Sequence, residues 1–335
     1  MHILMVTSQL PTLVQPRTIT MAPVVRQIES MRAVGIQVDV LEIIGIQKLK
    51  YFQRLPHLWA CAPSVDLIHA HYGYCGWIAR SQSSKPVVVS FMGDDLLGTP
   101  DAEGRIGLLS KLVVRVNRWL ARTVDAVIVK SAEMAKVITP IKAYIVPNGV
   151  DLQTFRPMDS YESRALLGLT ESKRYILFAG RPDDPRKGFS LARAAVRNAS
   201  TCMAEPLELI LLSGVAPDRV PLYMNACHAL LMTSFWEGSP NVVKEAMACN
   251  LPVVSVPVGD VPELLAGVEG CAICPREAEV LAGALVNVLS GAPRTNGRVS
   301  LERKGLDLES VARKIMNVYE DVLTRNQYVR HSWHS

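Results

Sequence analysis

Short runs of Val, Ile, Leu and Ala alternate along the chain with longer stretches of helical spacing. This alternation limits the possible folds more than any other property of the sequence. Apolar runs bounded by turn residues are typical of strands buried on both faces of a parallel sheet. Because parallel strands need long crossover connections, the pattern predicts successive βαβ units. The strand candidates of the first half are His2–Thr7, Gln37–Ile44, Asp66–His71, Pro86–Phe91, Ala126–Lys130 and Ala143–Val146.

The same alternation restarts after residue 148, and a length of 335 residues suits two domains of ordinary size. We therefore predict two doubly wound α/β domains at residues 1–148 and 149–310, followed by a C-terminal helix and tail at 311–335. In such domains ligands bind at the carboxyl ends of the strands. The strand candidates of the second half are Tyr175–Ala179, Leu207–Leu212, Ala229–Thr233 and Val253–Val256.

Several function classes are disfavoured by missing motifs. The first strand is followed by Thr7–Pro11 without glycine, whereas a nicotinamide dehydrogenase needs G-x-G-x-x-G there. The chain also lacks a Walker-type G-x-x-x-x-G-K. One C-x-x-C pair, Cys271 and Cys274, has no second pair or nearby histidine, so we expect no metal site.

The sequence also predicts a compartment. No apolar run reaches the roughly 18–20 residues of a membrane span, and the start shows no secretory signal pattern. Seven cysteines is an odd number, and most of them lie within apolar runs, which favours a reducing cytoplasm.

Charge is distributed unevenly between the two halves. Residues 1–150 hold 16 Lys and Arg against 10 Asp and Glu, whereas the remainder holds 20 against 21. The first half is therefore expected to face something anionic, such as a membrane surface, a phosphorylated ligand or an acidic polymer. The net charge of +5 is too small to indicate nucleic acid as a partner.

A predicted helix at Ile106–Thr123 contains part of this positive charge. Its cations recur at helical spacing, and an apolar set is predicted on the opposite face. One interpretation is an ordinary domain helix with a solvated cationic face, and the other is docking on anionic lipid. A short basic and aromatic stretch, Lys48–Arg54, could act in the same way. The cations are Lys111, Arg115, Arg118 and Arg122, and the apolar set is Leu112, Val116, Trp119 and Leu120.

The strongest chemical signal lies at residues 234–248. A loop with Glu237 and Gly238 follows a strand, and Ser239 is predicted to cap a helix whose first position is Pro240. Free N–H groups at such a helix end form an anion site. Glu245 lies eight positions after Glu237, about 12 Å along a helix, so the two would be separate acceptors for ligand hydroxyls. The alternative is a capped helix with two solvated glutamates.

A second signal directly follows the strand Tyr175–Ala179. Gly180 would let backbone approach a ligand closely, and Arg181 and Lys187 could clamp one diphosphate. The alternative is a solvated turn with two basic residues.

These segments, in this order, resemble the retaining GT-B glycosyltransferases of glycosyltransferase family 4. Glu237 to Glu245 matches the family's E-x7-E element, and the segment from Gly180 to Gly188 matches its G-R…K-G loop. Pro147–Asp151, with a following Phe and Pro, matches N-G-V-D…F-x-P, and Val258–Glu263 resembles the family's G-G-x-x-E loop. The resemblance is specific over about residues 128–265 and says little about the substrate.

The resemblance implies a GT-B fold, with two Rossmann-like domains facing a central cleft and a C-terminal helix returning to the first domain. It implies a nucleoside-diphosphate sugar on the second domain, with Arg181 and Lys187 on the diphosphate. Glu237 would accept hydrogen bonds from the transferred sugar, and Glu245 from the ribose. No cofactor, metal or enzymic nucleophile is implied. The further donor-binding candidates are Gly180, Gly238, Ser239, Pro240, Asn241 and Val242.

The first domain matches the family less closely. Its first loop, Pro11–Pro23, has no glycine, and Met92 replaces a histidine that commonly touches the sugar in this family. The acceptor-side candidates are Arg17, His71, Asp94 and Asp95. His69, which lies within a strand, is interpreted as a core histidine.

The resemblance thus implies transfer of a sugar to a saccharide or lipid-linked acceptor in cell-envelope or exopolysaccharide biosynthesis. Two alternatives remain: a GT-B nucleotide-sugar epimerase or phosphorylase, and a non-catalytic glycosyltransferase subunit that depends on a partner. The expected location is the cytoplasm, with peripheral contact to an anionic membrane.

Overall fold

A computed structural model describes residues 1–8, 22–46, 49–99, 105–291 and 294–332. The described chain forms two compact units. The first unit combines the described parts of Met1–Thr99 and Ile106–Gly149 with the C-terminal helix, Leu308–Ser332. The second unit is built mainly from Val150–Asp307.

The first unit contains a six-stranded sheet in the order β2-β1-β3-β4-β5-β6, and each strand pairing is parallel. Its register aligns Met5 with His69, and His69 with Val88. All six strands predicted for the first half are present, so the βαβ interpretation is confirmed. The strands are β1 (His2–Thr7), β2 (Gln37–Glu42), β3 (Leu67–His71), β4 (Val87–Ser90), β5 (Ala126–Val129) and β6 (Tyr144–Ile145).

Helices cover both faces of this sheet. On one face, α1 (Ala22–Ala33) packs with the C-terminal helix around Met31 and Tyr319. The predicted return of the chain's last helix to the first unit is thereby confirmed. On the other face lie α2 (Lys50–Gln53), α3 (Leu55–Cys61), α4 (Gly73–Ala79), α5 (Asp94–Leu97), α6 (Leu108–Leu120) and α7 (Ala132–Val137).

The apolar side of α6 differs from its prediction. Leu120 is buried in the core, but Leu112, Val116 and Trp119 are exposed. The face that meets the core is defined instead by Asn117 and Leu120. Within the described helices, none is long and apolar enough to span a membrane.

The second unit contains a five-stranded sheet in the order β11-β10-β9-β7-β8, again parallel at each pairing. Four strands match the predictions, whereas the two-residue β11 was not predicted. The strands are β7 (Arg174–Phe178), β8 (Leu207–Leu211), β9 (Ala229–Met232), β10 (Val253–Ser255) and β11 (Ala272–Ile273). The helices are α8 (Ser160–Leu167), α9 (Phe189–Ser200), α10 (Val220–Ala226), α11 (Asn241–Ala248), α12 (Val261–Leu265), α13 (Ala278–Ser290) and α14 (Gly297–Lys304).

A buried polar network joins the C-terminal helix to the first sheet. The Nδ1 atom of His69 lies 2.6 Å from the Tyr319 hydroxyl, and its Nε2 atom lies 2.8 Å from Oγ of Ser90. Burial holds the pKa of His69 well below its usual range, so the ring is neutral. His69 is thus a hydrogen-bonded core histidine, which confirms that interpretation.

We predict that Tyr319→Phe lowers the free energy of unfolding by about 1–3 kcal/mol, because it leaves a buried ring nitrogen of His69 without its partner. Chemical denaturation measures this change. Tyr328→Phe, on the exposed side of the same helix, is the control and should leave stability unchanged. Equal stability of the two variants would show that the network does not hold the helix.

Candidate functional site

The candidate site lies where two adjacent parallel strands of the second unit end. β7 pairs with β9, so the loops that follow them start side by side. Oγ1 of Thr233 donates to the carbonyl oxygens of Lys187 at 2.9 Å and Gly188 at 3.0 Å. The backbone N–H of Phe235 donates to the carbonyl of Arg186 at 2.8 Å. The two segments selected from the sequence therefore form one assembly of loops.

Two glycines allow the loops to come this close. Gly188 has a φ of 66°, and a Cβ atom there would lie 2.3 Å from the carbonyl oxygen of Thr233. At Gly180 a Cβ atom would lie 2.7 Å from Cγ of Lys187. A side chain at either position would displace its neighbour, so both glycines are required by the packing of the site.

Lys187 and Glu237, predicted from separate motifs, are in direct contact. The Nζ atom of Lys187 donates to Oε1 of Glu237 at 2.6 Å, and both side chains are about one-fifth exposed. Charge-assisted hydrogen bonds of this length are among the stronger ones in proteins. The pair places a cation and a carboxylate together at the ends of β7 and β9.

Arg181 is placed differently from Lys187. Its side chain is 70% exposed and lies 3.4 Å from Asp183 in a surface ion pair. Asp184, which sequence reasoning missed, caps a 3₁₀ turn at Pro185–Lys187 by accepting from the Arg186 N–H at 3.0 Å. An Asp directly before Pro is a signal that could have revealed this cap. The capped turn fixes the backbone of Lys187.

The start of α11 corrects the prediction for Ser239 and Pro240. Pro240 is the N-cap and the helix begins at Asn241, one residue later than predicted, so Val242 lies in its first turn. The Ser239 hydroxyl does not cap the helix. It accepts a hydrogen bond from Nζ of Lys244 at 3.1 Å. Ser239 lies two residues before the helix. Its hydroxyl is directed to a buried ammonium group that needs an acceptor.

Lys244 belongs to a buried charged group that sequence reasoning missed. Its side chain is fully buried, and burial lowers its pKa to about 8, although Asp260 and Glu245 oppose this shift. Burial raises the pKa of Asp260 to about 6, opposed by a hydrogen bond from Ser239 and by the charge of Lys244. Ser239 thus links Lys244 to Asp260. A lysine within the largely apolar helix segment at 241–248 was the signal in the sequence that could have indicated this buried group.

The two predicted glutamates have different surroundings. Glu245 is buried on α11, whereas Glu237 is only partly covered. The alternative of two solvated glutamates therefore does not describe them. Arg276, also missed, donates to the carbonyls of Thr233 and Ser234 at 2.9 and 2.8 Å. It holds the loop that leads to Glu237.

Two acceptor-side candidates of the first unit, Asp94 and Asp95, form the first turn of α5, which follows β4. Asp95 is buried and accepts from the backbone N–H groups of Met92 at 3.0 Å, Gly93 at 3.0 Å and Gly73 at 3.2 Å. Burial raises the pKa of Asp95 to about 6 despite these hydrogen bonds. This carboxylate organises the loops after β3 and β4, while Asp94 beside it is half-buried.

The other two acceptor-side candidates differ in what the structure describes. His71 is fully buried at the end of β3, with Nε2 3.5 Å from Nε2 of Gln27. Burial, with a smaller effect of Lys130, lowers the pKa of His71 to about 3, so its ring is neutral near pH 7. Arg17 lies outside the described residues.

Tyr72, which sequence reasoning also missed, has a strained backbone at the end of β3. Its φ of 78° lies in a region that bulky residues rarely adopt. Its N–H donates to the carbonyl of Ser90 at 2.9 Å, which ties it to the end of β4. Backbone strain of this kind is concentrated at functional sites.

Two sequence families match separate parts of the chain. The family described as "Glycosyltransferase Family 4" matches residues 24–154, and the family described as "Glycosyl transferases group 1" matches residues 203–291. Together they cover about two thirds of the sequence.

Relatives in bacteria extend this similarity. The D-inositol 3-phosphate glycosyltransferase of Thermobifida fusca is 29% identical over 318 residues, which cover 78% of this chain and 70% of the relative. That of Mycolicibacterium gilvum is 27% identical over 273 residues, which cover 71% of this chain. The match spans only 61% of the length of the M. gilvum protein.

Solved structures resemble the fold over almost the whole chain. Sucrose-phosphate synthase from Thermosynechococcus elongatus has a TM-score of 0.76 at 19% identity, covering 97% of this chain and 99% of that one. Anabaena HepE in complex with UDP and glucose has a TM-score of 0.72 at 19% identity, covering 96% and 100%. At this identity the likeness shows the fold alone.

We predict that Gly188→Ala destabilises the protein more than Gly168→Ala. Both glycines have φ values near 70°, so both variants carry the left-handed cost of about 1–2 kcal/mol. Only the Cβ atom at Gly188 meets a neighbour, and overpacking adds about 1–3 kcal/mol. Chemical denaturation compares the variants, and equal losses would contradict the close loop contact.

Proposed function

Since the chain belongs to glycosyltransferase family 4, within the group 1 glycosyltransferases, and has the GT-B fold, we propose that it transfers a sugar from a nucleoside-diphosphate donor. The proposed acceptor is a saccharide or a lipid-linked saccharide of the cell envelope or an exopolysaccharide. The observation that carries this proposal is the contact between Lys187 and Glu237 at the ends of β7 and β9. It joins the two motifs assigned to the donor.

Lys187 and Arg181 are proposed to bind the donor diphosphate. As the bond between sugar and diphosphate breaks, negative charge grows on the leaving group, and fixed cations stabilise it. Lys187 supplies a positioned point charge. The exposed Arg181 supplies a planar guanidinium group whose N–H donors suit phosphate oxygens. The complexes of Anabaena HepE with UDP and with UDP-glucose support a donor of this class.

Glu237 is proposed to accept hydrogen bonds from hydroxyls of the transferred sugar, and Glu245 from the ribose. In the described structure the Glu237 carboxylate is bound to Lys187. A diphosphate would compete for the same ammonium group and so couple the binding of phosphate to the position of Glu237. Gly180, Gly238 and the backbone from Ser239 to Val242 complete the proposed donor site.

We propose that transfer proceeds with retention and without a metal ion. The acceptor hydroxyl would attack the face that the diphosphate leaves, and the leaving phosphate would help remove its proton. No enzymic nucleophile is then required. Lys187 and Arg181 would provide the positive charge that a metal would otherwise supply.

The acceptor is assigned to the first unit. The strained Tyr72 and the loop held by Asp95 lie at the ends of adjacent strands, where ligands bind in doubly wound sheets. Asp94, Arg17 and His71 remain acceptor-side proposals. The named activity of the D-inositol 3-phosphate glycosyltransferases makes a phosphorylated polyol the reference acceptor for comparison. Transfer would take place in the cytoplasm, at or near the membrane.

We predict that Lys187→Ala and Glu237→Gln each lower the rate of transfer by about 10²–10³-fold, because each removes a preorganised contact to the reacting groups. The thermal melts of both variants should show an intact fold. Lys173 and Glu208 form an exposed pair at 2.8 Å in the same unit. Their matching variants, Lys173→Ala and Glu208→Gln, are controls that should keep wild-type turnover. Wild-type turnover in either site variant would contradict the assignment of Lys187 and Glu237 to the site.

We further predict that one of UDP-, GDP- or ADP-sugars raises the thermal midpoint of the wild-type protein, with or without EDTA. Lys187→Ala should abolish the shift, because its ammonium group binds the diphosphate. NMR of the product should show the anomeric configuration of the donor. If none of the donors shifts the midpoint, a non-catalytic subunit becomes the better interpretation. An inverted product would overturn retention.

A further inference from the structure

Helix α6 presents an apolar surface to solvent. Five of its apolar side chains are between 41% and 86% exposed. They lie along one side of the helix. They are Leu108, Leu109, Leu112, Val116 and Trp119. Single exposed leucines are ordinary on protein surfaces, but a continuous row of five marks an interaction surface.

The cations of this segment lie along one side of that row. At about 100° per residue, the five apolar side chains occupy one sector of the helix, and the cations occupy the neighbouring sector. The core side, with Asn117 and Leu120, lies opposite this combined surface. The surface is therefore divided lengthwise into an apolar and a cationic strip, which are here named the α6 face. Its cations are Lys111, Arg115, Arg118 and Arg122.

The segment that carries the α6 face contains cations and no acidic residue. Residues 105–122 contain no Asp or Glu. Within the part of the chain that the structure describes, none of the four cations forms an ion pair. A partner with negative charge beside an apolar layer would complement this face.

The α6 face is held in place from behind. Nδ2 of Asn117 donates to the carbonyl of Asp95 at 2.9 Å, and Leu120 is completely buried. The Trp119 ring stacks on Trp77 of α4 with centroids 5.0 Å apart, while more than half of Trp119 stays exposed. The helix is thus formed and oriented before any partner binds.

A second amphipathic segment lies in the same helical layer. Leu49, Phe52 and Trp59 are each more than half exposed, and Lys50 and Arg54 accompany them. Both α2 and α6 pack against α4, on the same face of the first sheet. One side of the first unit therefore carries two segments that combine apolar and basic side chains.

We propose that the α6 face docks on the surface of a bilayer containing anionic phospholipid. Aliphatic and Trp side chains would enter the boundary between headgroups and acyl chains, and the adjacent cations would meet lipid phosphates. The excess of basic residues in the first half of the chain agrees with this partner. Docking deepens the proposed function by naming the surface that would hold the protein at the membrane. Only its use, to bring the first unit to a lipid-linked acceptor, rests on that function.

Cosedimentation of the full-length protein with vesicles tests the proposal. At low salt, the protein should bind vesicles of phosphatidylcholine mixed with phosphatidylglycerol, and it should bind pure phosphatidylcholine at least about tenfold more weakly. Raising the salt should release it. No donor is present, so the result is independent of the proposed transfer reaction.

Paired variants separate the two strips of the α6 face. Arg115→Glu/Arg118→Glu and Leu108→Ser/Leu109→Ser should each weaken binding by at least about tenfold. Arg193→Glu/Arg197→Glu on α9 makes the same charge change at exposed positions of the second unit, and Leu166→Ser removes an exposed leucine of α8. Both controls should bind like the wild type, and thermal melts should show that all four proteins fold.

Three outcomes would overturn the proposal. The first is failure to bind the anionic vesicles at low salt, and the second is equal binding by the α6 variants and their controls. The third is a concentration-dependent dimer, seen by size-exclusion chromatography, that the leucine variant abolishes without any change in vesicle binding. That result would assign the α6 face to a second copy of this chain.

Discussion

Parallel pairing of the strands is the constraint on which the rest of this structure depends. A parallel pair cannot be closed by a tight turn, so each strand must be followed by a crossover, here mostly helical. It also brings the carboxyl ends of neighbouring strands to one edge of the sheet. In the second unit, β7 and β9 are neighbours. Lys187 and Glu237, fifty residues apart in the chain, meet there for that reason.

The loops at this edge are held by contacts that leave little space. Gly188 lies against the carbonyl of Thr233. The Thr233 hydroxyl donates hydrogen bonds to the carbonyl oxygens of Lys187 and Gly188. Behind them, the ammonium group of the buried Lys244 donates a hydrogen bond to the Ser239 hydroxyl. Such a partner is needed because burial of an unpaired charge costs free energy. In the candidate site, charged side chains are thus attached to closely packed backbone. Such preorganisation suits the stabilisation of a leaving diphosphate.

Patterns that run along the chain predicted most of the fold. Ten of the eleven strands in the described residues follow from apolar runs, and the place of the C-terminal helix follows from the family resemblance. Arg181, Lys187, Glu237 and Glu245 came from motif spacing, which is also a property of one continuous segment. Other features depend on what approaches from elsewhere in space. The pair formed by Lys187 and Glu237 and the contact of Ser239 with Lys244 are of this kind.

The sequence by itself determined the alternation of strands and helices, the family and the residues that could bind a donor, because periodicity and motifs are local properties. The tertiary structure alone decided which faces are covered. The sequence predicts that helix α6 is amphipathic, and an ordinary domain helix would bury its apolar side. Packing of Asn117 and Leu120 turns the opposite side outward instead. Burial is set by the surfaces that meet in space, and no pattern within one segment specifies its partner.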